Sequence, residues 1–85
     1  MLTQKILVVG CGSIGERHIR CFGNQFGVQV TGCDINPQLR ENISQRYGIR
    51  CFSDLEEALE KEEYTAAIVA TPAQLHIPIS LQLVR

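Results

Sequence analysis

No charge of either sign dominates the sequence: eight lysines and arginines stand against nine aspartates and glutamates, for a formal net charge of −1. The two signs are interspersed, so neither nucleic acid nor an anionic membrane surface is an expected partner. No apolar run approaches the ~20 residues that span a bilayer. Lys5 stands alone before an apolar stretch, with no basic leader and no small-residue cleavage site, so no signal peptide is expected. The four cysteines are widely spaced: Cys11, Cys21, Cys33 and Cys51 form no C-x-x-C pair. That spacing argues against zinc and against a disulfide framework, and it favours small apolar core residues in a reducing, cytoplasmic compartment. Gly-Lys-Ser/Thr is also missing, which excludes a phosphate-loop nucleotidase. Repeats, linkers and low-complexity segments are absent.

What is present begins with Ile6-Leu7-Val8-Val9, a short run of bulky apolar residues that reads as a buried strand. It runs into Gly10-Cys11-Gly12-Ser13-Ile14-Gly15, the G-x-G-x-x-G spacing of a dinucleotide-binding turn. Gly10 permits the tight turn from strand to helix, Gly12 lets the backbone approach a pyrophosphate, and Gly15 lets the helix press on the strand. A helix that starts near Ser13 directs free N–H groups and the positive end of its dipole at that anion. Cys11, at this helix start, is a candidate for a lowered thiol pKa, although core packing is the plainer reading.

The first helix is expected over about Ser13–Phe22, with Ile14, His18 and Phe22 facing the sheet and Gly23-Asn24 ending it. A second strand, about Val28–Cys33, ends at Asp34, 19 residues after Gly15. A carboxylate there can accept both hydroxyls of an adenosine ribose, and its charge repels a 2′-phosphate. No arginine follows at once, the next residues being Ile35-Asn36-Pro37, so NAD is favoured over NADP. Asn36-Pro37 is an N-cap with proline at the first helical position, Leu39, Ile43 and Tyr47 face inward, and Gly48 closes the helix. A third strand over Ile49–Phe52 leads to Ser53-Asp54-Leu55-Glu56, which has capping-box spacing. Leu55, Ala58 and Leu59 then face the core, while Glu56, Glu57, Glu60, Lys61, Glu62 and Glu63 form a solvated outer face. The fourth strand, Thr65–Ala70, lacks alternation, as a parallel strand covered on both faces would. A last helix carries Ile79 and Leu83 inward, with Pro78 in its first turn. The pattern predicts an α/β, Rossmann-like, doubly wound parallel sheet, partial, with about four strands in the order 3-2-1-4 and helices on both faces. Gly10–Gly15 and Thr71-Pro72 then rim one crevice at the carboxyl ends of the strands.

Gly12-Ser13-Ile14-Gly15-Glu16-Arg17-His18, Asp34, Asp54-Leu55-Glu56-Glu57-Ala58-Leu59 and Ala70-Thr71-Pro72-Ala73-Gln74-Leu75-His76 follow one another in this order. The set resembles the N-terminal domain of the glucose–fructose oxidoreductase / inositol dehydrogenase / MocA family across nearly the whole chain. The resemblance implies that Gly10, Gly12, Ser13, Ile14 and Gly15 line the cofactor pyrophosphate. It implies that Asp34 binds the adenosine ribose and that Ile35 lies beside the adenine. Thr71 and Pro72 would touch the cofactor, and His76 would lie on its nicotinamide side. A histidine bonding backbone at a helix start is an equal reading of His76.

In that family the next strand ends in a Glu-Lys-Pro motif whose lysine contributes to catalysis, and a larger α/β domain supplies the substrate pocket. Neither occurs within residues 1–85, so the chain is expected to be the N-terminal part of a dinucleotide-binding domain without its substrate domain. The expected function is the NAD(P)-binding portion of an oxidoreductase acting on a sugar, cyclitol or similar polyol, binding cofactor without turnover and contributing no catalytic residue. The exposed edge of the fourth strand would offer a pairing surface to another copy. A non-enzymatic nucleotide-sensing regulatory module shares the glycine turn and the strand-end acid, but does not usually carry Arg-His after the turn or A-T-P-x-x-x-H. S-adenosylmethionine methyltransferases usually place an acid two residues before the first glycine, where this chain has Val8.

Overall fold

The computed structural model describes residues 3–71. Among the described residues seven elements alternate: β1 (Gln4–Val9), α1 (Ser13–Gly23), β2 (Val28–Cys33), α2 (Pro37–Tyr47), β3 (Cys51–Phe52), α3 (Leu55–Lys61) and β4 (Ala66–Val69). The strands form one parallel sheet in the order β3-β2-β1-β4, as the pattern predicts. Ile6 pairs with Val30 on one side of β1 and with Ala66 on the other, and Gly32 stands opposite Cys51.

Side chains alternate across β1, and both faces are covered. Leu7 and Val9 join Cys33 and Phe52 under Leu55 and Ala58 of α3. Val8 and Val30 pack on the other face with Cys11, Ile19 of α1 and Ile43 of α2. A central strand buried on both sides therefore needs the unbroken apolar run that the sequence shows.

α2 begins as expected: the Asn36 side chain accepts from the N–H groups of Gln38 and Leu39 at 2.9 and 3.3 Å, with Pro37 next. Asn36→Ala removes this cap and is expected to cost about 1 kcal/mol in a urea denaturation experiment, with the fold retained. Gly48 closes the helix, its N–H donating to Ser44 O at 2.9 Å.

Several expectations are corrected. The inward face of α1 is Gly15 and Ile19, with His18 and Phe22 half-buried, and Ile14 is 60% exposed. The contact of Gly15 with the turn sets the helix rotation and swings Ile14 outward. α3 is capped by Asp54, which accepts from the Glu56 N–H at 3.2 Å, so the start lies one residue beyond Ser53. Glu62 leaves the solvated face, since its carboxylate accepts from the hydroxyl of buried Thr31 at 3.3 Å. β3 is two residues rather than four, although Gly32 N–H still donates to Arg50 O at 2.9 Å. In β4, Ala66 and Ala67 are exposed, and only Ile68 and Val69 are half-buried. Among the described residues β4 pairs with β1 alone. Of the four cysteines, Cys21 is exposed on α1. Pro72, His76 and the last helix, with Pro78, Ile79 and Leu83, lie outside the described residues.

The carboxylate of Glu16 ties α1 to α2, accepting from the Tyr47 hydroxyl at 3.0 Å and from Arg46. The Tyr47 hydrogen bond, then Arg46, holds that carboxyl below its ordinary value of 4.5. A group with a lowered folded-state pKa stabilises above its unfolded value and loses that contribution as pH falls through the folded one. Wild type should therefore outlast Glu16→Gln in urea at neutral pH, with the gap closing below about pH 4.5.

Candidate functional site

The chain leaves β1 through Gly10, whose N–H still donates to Cys33 O at 2.7 Å, so the turn begins while the ladder is intact. Gly10 has φ +103°, a conformation that L side chains rarely adopt, and a Cβ there would lie 2.8 Å from the Ala70 carbonyl. Gly15 seats the helix on this turn: a Cβ at Gly15 would lie 1.7 Å from Gly10 O. Gly12 caps α1 with extended backbone, and a Cβ on it would meet nothing within 4 Å. Three glycines thus have three different surroundings, and only Gly12 faces open space.

That space is a crevice of about 570 Å³ at the carboxyl ends of the strands. Gly10, Gly12, Asp34, Ile35 and Thr71 line it, five of the residues expected from sequence. Ser13 and Ile14 are exposed at the helix start, and Gly15 lies buried beneath the turn. The first N–H groups of a helix have no partner within it, so the α1 start presents donors beside Gly12. Ile35 is 85% exposed on the rim, a flat apolar surface that a buried core would have used.

Asp34 organises the site. Its Oδ2 accepts from the Cys11 N–H and its Oδ1 from the Asn36 N–H, both at 2.8 Å. One carboxylate therefore joins the glycine turn after β1 to the turn after β2. An ionised carboxylate has about four acceptor positions, so each oxygen keeps capacity for a further donor. Arg40 was not singled out from sequence: its Nη1 donates to Asp34 O at 3.0 Å and Ile35 O at 3.1 Å, fixing the backbone behind the carboxylate. Its position in the first turns of the helix after Asp34 was the available signal. Leu39, Ser53 and Asp54 also line the crevice without having been anticipated there.

These groups fit a dinucleotide. A glycine cradle that side chains would fill, helix-start donors and a fixed carboxylate converge on one crevice. A second groove, about 490 Å³, lies at the amino ends of β2 and β3 between α1 and α2, and carries Arg20, Arg46 and Arg50. Ligands of open α/β sheets bind at the carboxyl ends, which favours the crevice at Asp34. Among the described residues no cluster of three or more His, Cys, Asp or Glu side chains could hold a metal ion, and no helix is long and apolar enough to cross a membrane.

Comparison with known proteins agrees with this geometry. Residues 4–85 match the GFO/IDH/MocA family, described as an oxidoreductase family with an NAD-binding Rossmann fold. The 4-carboxy-2-hydroxymuconate-6-semialdehyde dehydrogenase of Sphingobium sp. is 30% identical over 75 residues, covering 86% of this chain and 24% of that protein. Inositol 2-dehydrogenase of Burkholderia ambifaria is 30% identical over 79 residues, covering 88% and 23%. The crystal structure of GenD2 from gentamicin A biosynthesis in complex with NAD superposes with a TM-score of 0.91 at 28% identity, covering 99% of this chain and 24% of that one. The chain thus spans about a quarter of the length of the relatives it matches. It belongs to the GFO/IDH/MocA oxidoreductase family and carries that family's NAD-binding Rossmann fold.

Proposed function

We propose that this chain binds NAD(H) as the cofactor half of an oxidoreductase acting on a sugar, cyclitol or similar polyol, or on its keto form. The observation that carries the reading is the Asp34 carboxylate, held at the crevice rim by the Cys11 and Asn36 N–H groups with acceptor capacity left over. In this reading Asp34 accepts the two adenosine ribose hydroxyls, Gly12 and the α1 start receive the pyrophosphate, and Ile35 lies against the adenine. Thr71 and Pro72 contact the cofactor from the end of β4, and His76 lies toward its nicotinamide.

The carboxylate charge disfavours a 2′-phosphate, and Arg40 is engaged with backbone carbonyls rather than turned to meet one. NAD is therefore preferred to NADP. The dinucleotide supplies the hydride chemistry when bound; the residues of this chain bind and orient it. In this reading the groups that select substrate and move its proton belong to other parts of the oxidoreductase. The polyol assignment is supported by the similarity to inositol 2-dehydrogenase. The free thiols fit a reducing cytoplasmic compartment, and the edge of β4, which among the described residues pairs with β1 alone, would be offered to another copy of the chain.

The test is a titration of the chain with NADH followed by NAD with myo-inositol. Saturable NADH binding without substrate-dependent reduction of NAD is expected. Turnover by these residues alone would overturn the division of labour, and no binding by a folded chain would overturn the cofactor reading.

A further inference from the structure

Two of the cysteines meet beneath the glycine turn. Cys51 stands opposite Gly32 in the β2–β3 register, and Cys11 reaches the same point from the turn after β1. A Cβ on Gly32 would lie 3.0 Å from Cys51 Sγ and 3.2 Å from Cys11 Sγ. Both sulfurs thus line the space over the bare glycine, where the Cys11 thiol donates to Cys33 O at 3.8 Å. The other two cysteines are placed differently. Cys33 packs on the opposite face of the sheet, and Cys21 is exposed on α1.

We propose that Cys11 and Cys51 form a reversible disulfide pair, an oxidation site under the glycine turn whose oxidant is a hydroperoxide and whose closure disables the dinucleotide cradle.

Access and acidity divide the two roles. Cys51 is half-buried and its thiol is held below the ordinary range by the neighbouring Cys11 side chain, whereas Cys11 is buried and its thiol is pushed up. Cys51 is therefore the attacking thiolate. With hydrogen peroxide, Cys51 Sγ bonds to one oxygen, the O–O bond breaks, and the departing hydroxide leaves as water with the proton shed by the thiol. The Cys51 sulfenic acid is then attacked by Cys11 Sγ. The S–S bond forms, the S–O bond breaks, and the second hydroxide takes the Cys11 proton. Two thiols and one peroxide give one disulfide and two waters, and an external thiol reverses the step by exchange.

The link couples to the cofactor site through the backbone. An S–S bond of about 2.05 Å requires the sulfurs to close on each other. Cys11 lies in the turn, whereas Cys51 is paired with β2 in a strand. Drawing Cys11 toward β3 pulls its N–H from Asp34 Oδ2, at 2.8 Å in the dithiol form, and shifts Gly10–Gly12 with it. This coupling rests on the proposed cofactor role of the crevice; the disulfide itself does not.

The test uses the full chain carrying Cys21→Ser, which removes the exposed thiol. Trypsin cuts after Lys5, Arg17, Arg20, Arg40, Arg46, Arg50 and Lys61, so Cys11, Cys33 and Cys51 fall on separate peptides. After hydrogen peroxide, unreduced digests should show the Cys11 and Cys51 peptides joined, and calorimetry should show NADH affinity at least tenfold weaker. Dithiothreitol should restore both. Cys51→Ser, checked for folding by its urea midpoint, should keep its affinity through the same treatment. A link through Cys33, or none, overturns the pairing. A Cys11–Cys51 link with unchanged affinity overturns the gating. A folded, reduced chain that binds no NADH overturns the gating together with the cofactor reading, and the joined peptides still decide the pairing by mass.

Discussion

Gly15→Ala is expected to cost about 3 kcal/mol or more and to leave much of the chain unfolded. A methyl at this position would lie 1.7 Å from Gly10 O and 2.8 Å from Gly10 C, both backbone atoms that cannot rotate away. Relief requires lifting α1 from β1, which would strip cover from Val8 and Ile19 in the core of that face. The matched variant is Gly12→Ala, whose methyl meets nothing within 4 Å and whose φ of −73° suits any residue. It should lose about 1 kcal/mol or less, as a poorer N-cap, yet bind NADH weakly because the methyl enters the crevice. Urea denaturation separates the two. Equal stability of Gly15→Ala and wild type would contradict the packing role given to Gly15.

Asp34→Ala should weaken NADH binding about 100-fold, about 2.7 kcal/mol, because hydrogen bonds to a charged group contribute roughly 1.5–3 kcal/mol each. The same change orphans the part-buried Cys11 N–H, for a further stability loss of about 1–3 kcal/mol, while the exposed Asn36 N–H turns to water. Asp34→Asn keeps one acceptor oxygen and should fall between the two. NADPH binding should fall far less than NADH binding, since losing the carboxylate also removes the repulsion of a 2′-phosphate. Calorimetric titrations with both dinucleotides check this. An equal loss for both would remove Asp34 from the ribose.

The sheet order was legible because each cue was local and physical. An unbroken apolar run marked the buried β1, the Asn36-Pro37 step marked the start of α2, and the spacing from Gly15 to Asp34 marked the end of β2. The errors came where a tertiary contact decided between neighbouring residues. Ile14 has helical spacing with His18 and Phe22, but the seat of Gly15 on Gly10 turns it outward. Ser53 has capping-box spacing, but the Asp54 carboxylate takes the helix N–H first. In the site, the type and place of Asp34 could be read, whereas its link to the Cys11 N–H could not, because 23 residues separate the partners. The Arg40 clamp and the convergence of Cys11 and Cys51 on Gly32 depend likewise on how β1, β2 and β3 lie side by side.

The central claim is that the carboxyl-end crevice built around Asp34 receives the dinucleotide. Backbone amide NMR of the full chain titrated with NADH tests it most directly. The Gly10, Cys11, Gly12, Gly15 and Asp34 amides should shift together and saturate with one affinity. Shifts confined to the amino-end groove at Arg20, Arg46 and Arg50, with the glycine turn unmoved, would contradict it.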